Sequence, residues 1–171
     1  MNKLDRTNWR VEKIKTLEEA GEIAGKLKGE GRKIVTVNGS FDILHAGHLD
    51  QLEEAKKQGD VLFVGINSDA SVREKKGESR PYVPQEARAA MLAALQCVDY
   101  VSIVDASYGD VPQVLIRTVK PDVHVNGPDY GPLETWLEWP VMQEVGAKGY
   151  VMGRRNDFST SDLISKIRND G

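Results

Sequence analysis

The chain has 171 residues, of which 40% are hydrophobic and 29% charged, and its formal net charge is -3. These values are ordinary for a soluble globular domain with a core of its own. The slight acidic excess argues against a general nucleic-acid surface and so against a nucleic-acid partner. Cys97 is the only cysteine, so no disulfide can form within the chain. The sequence shows neither a signal-peptide core nor an apolar run of membrane-spanning length, so we expect a cytoplasmic protein without a membrane partner.

Residues 1–12 are polar and predict no element. From there on, stretches with helical spacing alternate with short apolar runs rich in β-branched residues. Helices are predicted over residues 16–28, 47–58, 70–75, 85–95, 111–119 and 135–145, with Pro140 expected to kink or shorten the last of these, and over a final stretch capped by residues 159–161. Strands are predicted over residues 34–37, 61–66, 99–104 and 123–126 and, more weakly, over 149–152.

The alternation of strands and helices indicates βαβ units and therefore a parallel sheet. We predict an α/β fold in which residues 1–171 form a single Rossmann-like, doubly wound domain. It should contain about five parallel strands with helices on both faces. Residues 1–31 are expected to form an N-terminal extension and helix, and residues 32–171 the core.

Polar clusters follow four of the predicted strands, at residues 38–48, 67–69, 126–130 and 153–160. The carboxyl ends of parallel strands meet at one edge of a sheet, where doubly wound folds bind their ligands. The sequence therefore predicts a ligand crevice lined by these four clusters.

The first cluster contains two histidines, His45 and His48, separated by Ala46 and Gly47. Residues three apart share one face of a helical turn, and the missing side chain of Gly47 lets an anion approach the backbone closely. The predicted helix mouth adds free N–H groups and a positive dipole end, which together suit a phosphate. Two alternatives remain at this point: a metal site, for which His124 is the only further histidine, and a pair of histidines that only cap a turn.

Six motifs carry a resemblance to a known family. In chain order they read VNGSFDILHAGH, GINSDASV, SRPYVPQEAR, CVDYV, KPDVHVNGPDY and FSTSDLI. The set resembles the nucleotidyltransferase superfamily that is marked by a His-x-Gly-His turn, and it is most similar to the adenylyltransferase domain of bacterial ADP-heptose synthases. The glycerol-3-phosphate cytidylyltransferases share the same framework.

The resemblance implies transfer of AMP from ATP to a sugar 1-phosphate, with release of pyrophosphate. A D-glycero-manno-heptose 1-phosphate is the leading candidate for the acceptor. One alternative is a CTP-dependent cytidylyltransferase that acts on glycerol 3-phosphate or a related polyol phosphate, and another is a non-catalytic nucleotide-binding module. Mg²⁺ is expected as a cofactor held mainly through the triphosphate, without a metal site made by the protein. Relatives are commonly dimers or larger, so a homo-oligomer is expected.

The resemblance also assigns roles to residues that match its motifs. Catalytic roles are implied for His45, His48 and Arg88. Nucleotide binding is implied for Asn38, Gly39, Ser40, Phe41, His45, His48, Asn126, Gly127, Arg154, Ser159 and Thr160. Substrate binding is predicted for Asp42, Asn67, Asp69, Lys75, Lys76, Arg80, Arg88 and Asp129, with Lys75, Lys76 and Arg80 on a mobile lid.

Several of these residues have a structural alternative. Arg88 could be a solvated helix residue, Ser159 and Thr160 only a helix cap, and Asp42 an orienting group of the turn rather than a ligand of substrate hydroxyls. The three aromatic side chains Tyr130, Trp136 and Trp139 are expected to pack rather than to stack on a ligand. The chain also departs from the heptose enzymes, which usually have lysine at the position of Asn126 and glycine at the position of Pro128.

Overall fold

The computed structural model describes residues 9–153 and 159–169. Its centre is a sheet of five parallel strands in the order β3-β2-β1-β4-β5. The strands are β1 (Ile34–Gly39), β2 (Val61–Asn67), β3 (Tyr100–Val104), β4 (Val123–Asn126) and β5 (Lys148–Val151). The helices are α1 (Trp9–Lys13), α2 (Leu17–Gly29), α3 (Ala46–Lys56), α4 (Asp69–Lys76), α5 (Gln85–Ala93), α6 (Val111–Val119), α7 (Trp139–Val145) and α8 (Thr160–Asn169). The predicted fold class is confirmed.

Helices cover both faces of the sheet, because alternate residues of a strand point to opposite faces. On one face, Val35 and Val37 of β1 belong to an apolar cluster with residues of α3 and α5. On the other, Ile34 packs with residues of α2 and α6, and Ile116 of α6 continues into a third cluster with α7. The seven residues of β2 are all buried, as expected for a central strand of a parallel sheet.

The direction in which the chain adds strands to the sheet reverses between β1 and β4, although all five strands are parallel. The chain runs from β1 outward through β2 to β3, and then returns to place β4 and β5 on the other side of β1. Asn38 at the end of β1 pairs with Gly65 of β2, while Val37 pairs with Val125 of β4. The crevice expected at such a switch point lies at the carboxyl end of β1, where Gly39 leads into the histidine turn.

Two stretches differ from the sequence prediction. Residues 9–13 form helix α1, and Ile14 makes an isolated parallel bridge to Val101. The predicted helix over 135–145 begins only at Trp139, after two short 3-10 turns at Pro128–Tyr130 and Leu133–Thr135. Pro140 lies in the first turn of α7, where its missing N–H has no helical partner to lose, so the proline shortens the helix instead of kinking it.

Among the residues described, we find no helix with both the length and the apolar character that crossing a membrane requires.

Candidate active site

The turn between β1 and α3 is tightly packed against the sheet. Phe41 is 3% exposed and has a φ of 47°, in the left-handed region. A Cβ added to Gly39 would lie 3.0 Å from the Phe41 ring, so the glycine makes room for that ring. The ring in turn meets His48 edge-on, with 5.1 Å between the ring centroids. The histidine turn therefore rests on the core of the domain.

The two histidines of the turn form one unit. His45 caps α3: its Nδ1 accepts a hydrogen bond from the backbone N–H of Gly47 at 3.1 Å. The His45 and His48 rings stack with 3.8 Å between their centroids and 27° between their planes. With Nδ1 of His45 acting as acceptor, the neutral ring carries its proton on Nε2, which becomes a donor for a ligand. The predicted capping role is thus confirmed for His45, and it leaves Nε2 available for chemistry.

Both imidazoles are held neutral at physiological pH. Burial lowers the pKa of His45. Burial, followed by the nearby His45 and Lys76, lowers the pKa of His48 to about 4. An anion placed against these rings would oppose this effect, since a negative charge favours the protonated form. The pair therefore presents uncharged N–H donors.

Several polar atoms of the turn and of the strand that leads into it are buried without a hydrogen-bond partner in the part of the chain that the structure describes. They are Asn38 Oδ1, Ser40 Oγ and His48 Nδ1. Buried polar groups nearly always have partners in native proteins, so their concentration in one turn indicates a place where a ligand or water completes the hydrogen bonding.

Arg88 ties three segments together beneath this turn. Its side chain is fully buried, and it donates to the carbonyl of Ser40 at 2.5 Å, to Asp69 Oδ1 at 2.7 Å and to the carbonyl of Val83 at 2.9 Å. The alternative of a solvated helix residue is therefore wrong. Arg88 fixes the backbone of the turn at Ser40, and its predicted contact with phosphate stays a prediction.

Asp42 orients the loop that follows α4. The carboxylate is 2% exposed, and it accepts hydrogen bonds from Arg80 Nε at 2.6 Å and from the backbone N–H groups of Tyr82 and Val83 at 2.7 and 2.9 Å. This supports the orienting role over the binding of substrate hydroxyls. Arg80 is bound in that ion pair. It therefore differs from Lys75 and Lys76 at the end of α4, which are exposed as a lid would require.

The polar residues after β2 are also engaged with the protein. Asn67 is 2% exposed and donates from Nδ2 to Ser71 Oγ at 3.0 Å. Asp69 accepts from Arg88, and its backbone N–H donates to Gln85 Oε1 at 2.8 Å. Both residues lie at the carboxyl ends of the strands, where the ligand crevice is predicted, and their contacts hold α4 and α5 in place. Their roles as substrate ligands stay predictions.

A cavity of about 180 Å³ opens on the other side of the end of β1. It lies next to the start of α6 and below the segment that follows β4. Its polar and aromatic lining includes Asn38, Asn67, Tyr108, Tyr130, Trp136 and Glu138. Trp136 is 4% exposed and donates from Nε1 to the carbonyl of Gly131, so the predicted packing role is confirmed for this ring.

The cavity-lining residue Glu138, which the sequence did not single out, lies in a group of buried polar side chains with His124, Asn126 and Thr36. Glu138 is 2% exposed and accepts a hydrogen bond from Asn126 Nδ2. His124 Nε2 lies 3.5 Å from Glu138 Oε1, and His124 Nδ1 shares a hydrogen bond with Thr36 Oγ1 at 2.8 Å. The available signals were a histidine inside an apolar strand and one acid between two tryptophans, and neither indicates the other.

Glu138 keeps its charge in spite of its burial. Burial raises the pKa of the carboxyl, but the neighbouring His124 and the hydrogen bond from Asn126 together outweigh it, and the net pKa is lowered. Asn126 is 1% exposed and is committed to this contact, whereas Asp129 in the following turn is exposed. Asn126, Gly127 and Asp129 do not line the cavity themselves, and their contacts with a nucleotide or substrate stay predictions.

The last predicted cluster lies at the start of α8. Ser159 Oγ accepts from the backbone N–H of Asp162 at 3.1 Å and donates to Asp162 Oδ2 at 2.6 Å, so this residue does cap the helix. Thr160 is the first residue of α8. Arg154 lies outside the described residues. Phosphate binding by these residues stays a prediction.

Within residues 9–153 and 159–169, no group of three or more His, Cys, Asp or Glu side chains is arranged to hold a metal ion. The histidine turn at the end of β1 presents imidazole N–H groups, and such donors suit phosphate oxygens rather than a cation.

Comparison with known proteins identifies the family. The cytidylyltransferase-like family model matches residues 36–166. The bifunctional protein HldE of Geobacter metallireducens is 46% identical over 155 residues, which make up 91% of this chain and 31% of that protein. The chain thus spans about a third of the length of the curated relatives it matches.

Solved structures show the same architecture. The lipopolysaccharide core biosynthesis protein from Thermoplasma volcanium matches with a TM-score of 0.62 and 30% identity, over 74% of this chain and 100% of that one. Pantoate-beta-alanine ligase from Francisella tularensis matches with a TM-score of 0.65 and 16% identity, over 92% of this chain and 76% of that one, and shares the fold. The chain belongs to the cytidylyltransferase-like family.

Proposed function

We propose that the protein transfers AMP from ATP to a sugar 1-phosphate, with a D-glycero-manno-heptose 1-phosphate as the first candidate, and releases pyrophosphate. The observation that carries the chemistry is the stacked pair His45 and His48 at the mouth of α3. The sugar acceptor is supported by the relatives named HldE and by the similarity to a lipopolysaccharide core biosynthesis protein.

The chemistry needs positioning and charge stabilisation more than proton transfer. A phosphate oxygen of the acceptor is already anionic at neutral pH, so it can attack the α-phosphorus without a base. A new P–O bond forms between the acceptor oxygen and the α-phosphorus. The bond from the α-phosphorus to the oxygen that bridges the α- and β-phosphates breaks, and pyrophosphate leaves with the electron pair. Nε2–H of His45 and the His48 ring, at the positive end of α3, would donate to the oxygens on which charge develops.

Other residues act on the geometry of the turn. Arg88 holds the carbonyl of Ser40, and Asp42 holds the loop at Tyr82 and Val83 against the same turn. Because a donor displaced by an ångström loses much of its effect on the transition state, these buried contacts matter for rate as well as for stability. We assign Ser159, Thr160 and Arg154 to the β- and γ-phosphates by their match to the family motif.

Mg²⁺ belongs to this proposal as a companion of the nucleotide. When bound to the triphosphate it would neutralise negative charge there. The turn supplies N–H donors, and the carboxylate of Asp42 is engaged by three donors of the protein. We therefore propose that the metal enters bound to phosphate oxygens.

A matrix of nucleotides and acceptors tests the function directly. ATP, CTP, GTP and UTP are each combined with D-glycero-manno-heptose 1-phosphate, mannose 1-phosphate and glycerol 3-phosphate, and pyrophosphate release is measured. We expect the highest kcat/KM for ATP with the heptose phosphate. Turnover of ATP with the other acceptors alone would overturn the heptose assignment, and nucleotide binding without any pyrophosphate release would indicate a non-catalytic module.

The matching family model favours a second candidate, a CTP-dependent cytidylyltransferase that acts on glycerol 3-phosphate or a similar polyol phosphate. The same matrix separates the two, because this candidate requires CTP to exceed ATP with glycerol 3-phosphate as acceptor.

A further inference from the structure

The cavity beside β1 is chemically unlike the histidine turn on the opposite side of the same strand end. The two sites share Asn38 and Gly39 at their boundary. No lysine or arginine lines the cavity within the part of the chain described. Glu138 is the one carboxylic acid among the described residues that line the cavity, and it would repel a phosphate, so an anionic group is directed to the turn and an uncharged one to the cavity.

Glu138 is held as a hydrogen-bond acceptor. The contacts of Asn126 Nδ2 and His124 Nε2 are both made to Oε1, which leaves Oε2 as the oxygen that neither of them engages. His124 is itself fixed by Thr36 from β1. Two residues of β4 therefore set the position of a carboxylate on the next segment, which is the arrangement of a rigid binding group with supporting neighbours.

The rest of the lining matches hydroxyl groups. Asn38 Oδ1 is a buried acceptor without a partner in the described chain, and Asn67 has its Nδ2 occupied by Ser71, which leaves Oδ1 to accept. Tyr108 and Tyr130 add phenol groups that both donate and accept. The edge-on pair of Tyr130 and Trp136, with 6.1 Å between the ring centroids, forms an aromatic wall against which C–H groups can pack.

We propose that this cavity binds the uncharged, hydroxyl-rich part of the acceptor, and that Glu138, positioned by His124 and Asn126, is its specificity-determining residue. The proposal rests on the proposed function for the identity of the acceptor. A hydroxyl donates and accepts, as the mixed amide, phenol and carboxylate lining requires, whereas an ammonium group only donates. A sugar or polyol thus fits better than an amine.

Glu138→Gln tests the proposal, since it removes the charge with little change in shape. We expect the KM for the heptose phosphate to rise 10- to 100-fold, because a hydrogen bond to a charged acceptor is lost, while the KM for ATP stays within twofold. Glu134→Gln is the matched control, since Glu134 is an exposed acid on the same segment. A purely structural role of Glu138 would affect the two substrates alike, and equal KM values for the acceptor in Glu138→Gln and wild type would overturn the proposal.

A second test measures ligand binding to the wild-type protein, so it depends neither on catalytic turnover nor on whether a variant folds. Calorimetry should show heptose 1-phosphate binding more than 10-fold tighter than inorganic phosphate, and tighter than mannose 1-phosphate, which has fewer hydroxyls. Equal affinity for these three ligands, or tighter binding of glucosamine 1-phosphate, would overturn the proposal. If no acceptor supports pyrophosphate release but calorimetry shows this ranking, the proposed reaction fails and the cavity proposal stands.

Discussion

The two sides of the carboxyl end of β1 present different chemical groups, and on both sides buried polar contacts hold the structure in place. On the side of α3, the histidine turn presents donors and is held by Arg88 and Asp42. On the side of α6, the cavity presents carboxylate, amide and phenol groups, and its Glu138 is held by His124 and Asn126. In both places buried polar side chains fix a neighbouring group, which is the carbonyl of Ser40 on one side and the carboxylate of Glu138 on the other. The contrast suggests that one side serves the reaction and the other the choice of acceptor.

The first way to break this comparison is to remove the ligand-facing donor on the side of the turn. His48→Ala should lower kcat for pyrophosphate release by 10²- to 10³-fold, because one preorganised donor to the transition state is lost. The effect on the KM of the acceptor should be small, in contrast to that of Glu138→Gln. Lys57→Ala, at an exposed position just after α3, is the control. A kcat within threefold of wild type would contradict the role of the turn.

The second test removes the support beneath the turn. Arg88→Met should lower the free energy of unfolding by about 2–4 kcal/mol, because Asp69 and the carbonyl of Ser40 lose a buried cationic partner. Urea denaturation followed by circular dichroism measures this loss. Arg117→Met is the control, since Arg117 forms an exposed ion pair with Glu144 that should contribute less than about 1 kcal/mol. Equal losses for the two variants would show that Arg88 does not anchor the backbone of the turn.

The sequence could predict the local features of the site but not the contacts between distant residues that hold it. The histidine turn, its place after the first strand and the phosphate-suited helix mouth are local features, and a short stretch of sequence determines each of them. The predicted roles of Asp42 and Arg80 were harder, because their ion pair joins residues 38 positions apart. The sequence indicated charged residues near a ligand, and only the fold shows that the two neutralise each other.

The cavity was harder still. Its Glu138 lies in a stretch that predicts one continuous helix, because 3-10 turns and loops with apolar residues have no period of their own. The link between His124 and Glu138 crosses from a strand to the segment that follows it, and no spacing rule connects them. Helix α1 was missed for a related reason, since a five-residue helix is too short to show a period and is held by tertiary contacts such as that of Lys13 Nζ to the carbonyl of Val98.

A third test loosens the loop without touching the histidines. Asp42→Asn should cost about 1–3 kcal/mol in the free energy of unfolding, because the buried ion pair with Arg80 is lost and only a weaker, uncharged acceptor remains for the N–H groups of Tyr82 and Val83. Amide hydrogen exchange should increase at Tyr82 and Val83 and stay unchanged at residues of β3. Glu78→Gln, at an exposed position of the same loop, is the control. Unchanged protection at Tyr82 and Val83 would contradict the orienting role of Asp42.

The smallest effect separates the two sides by pH. His48 has a pKa of about 4 in the folded protein against 6.5 ordinarily, so between these values the unfolded chain binds more protons than the folded one. Stability from this residue is therefore fully present above pH 6.5 and is lost as the pH falls towards 4. From pH 7 to pH 5 the loss should be about 1–2 kcal/mol, measured by urea denaturation at each pH.

The side of the cavity should contribute little in that range. The lowered pKa of Glu138 means that its stabilising charge is present above the ordinary value of 4.5 and is lost only below it. His48→Gln should therefore flatten the dependence of stability between pH 7 and pH 5, and Glu138→Gln should leave its slope unchanged. A flatter dependence in Glu138→Gln together with an unchanged slope in His48→Gln would show that the group titrating between pH 7 and pH 5 lies in the cavity and not in the histidine turn. A bound triphosphate should also reduce the wild-type slope, since an anion beside His48 raises its pKa towards the ordinary value and so reduces the difference in proton binding between the folded and unfolded states.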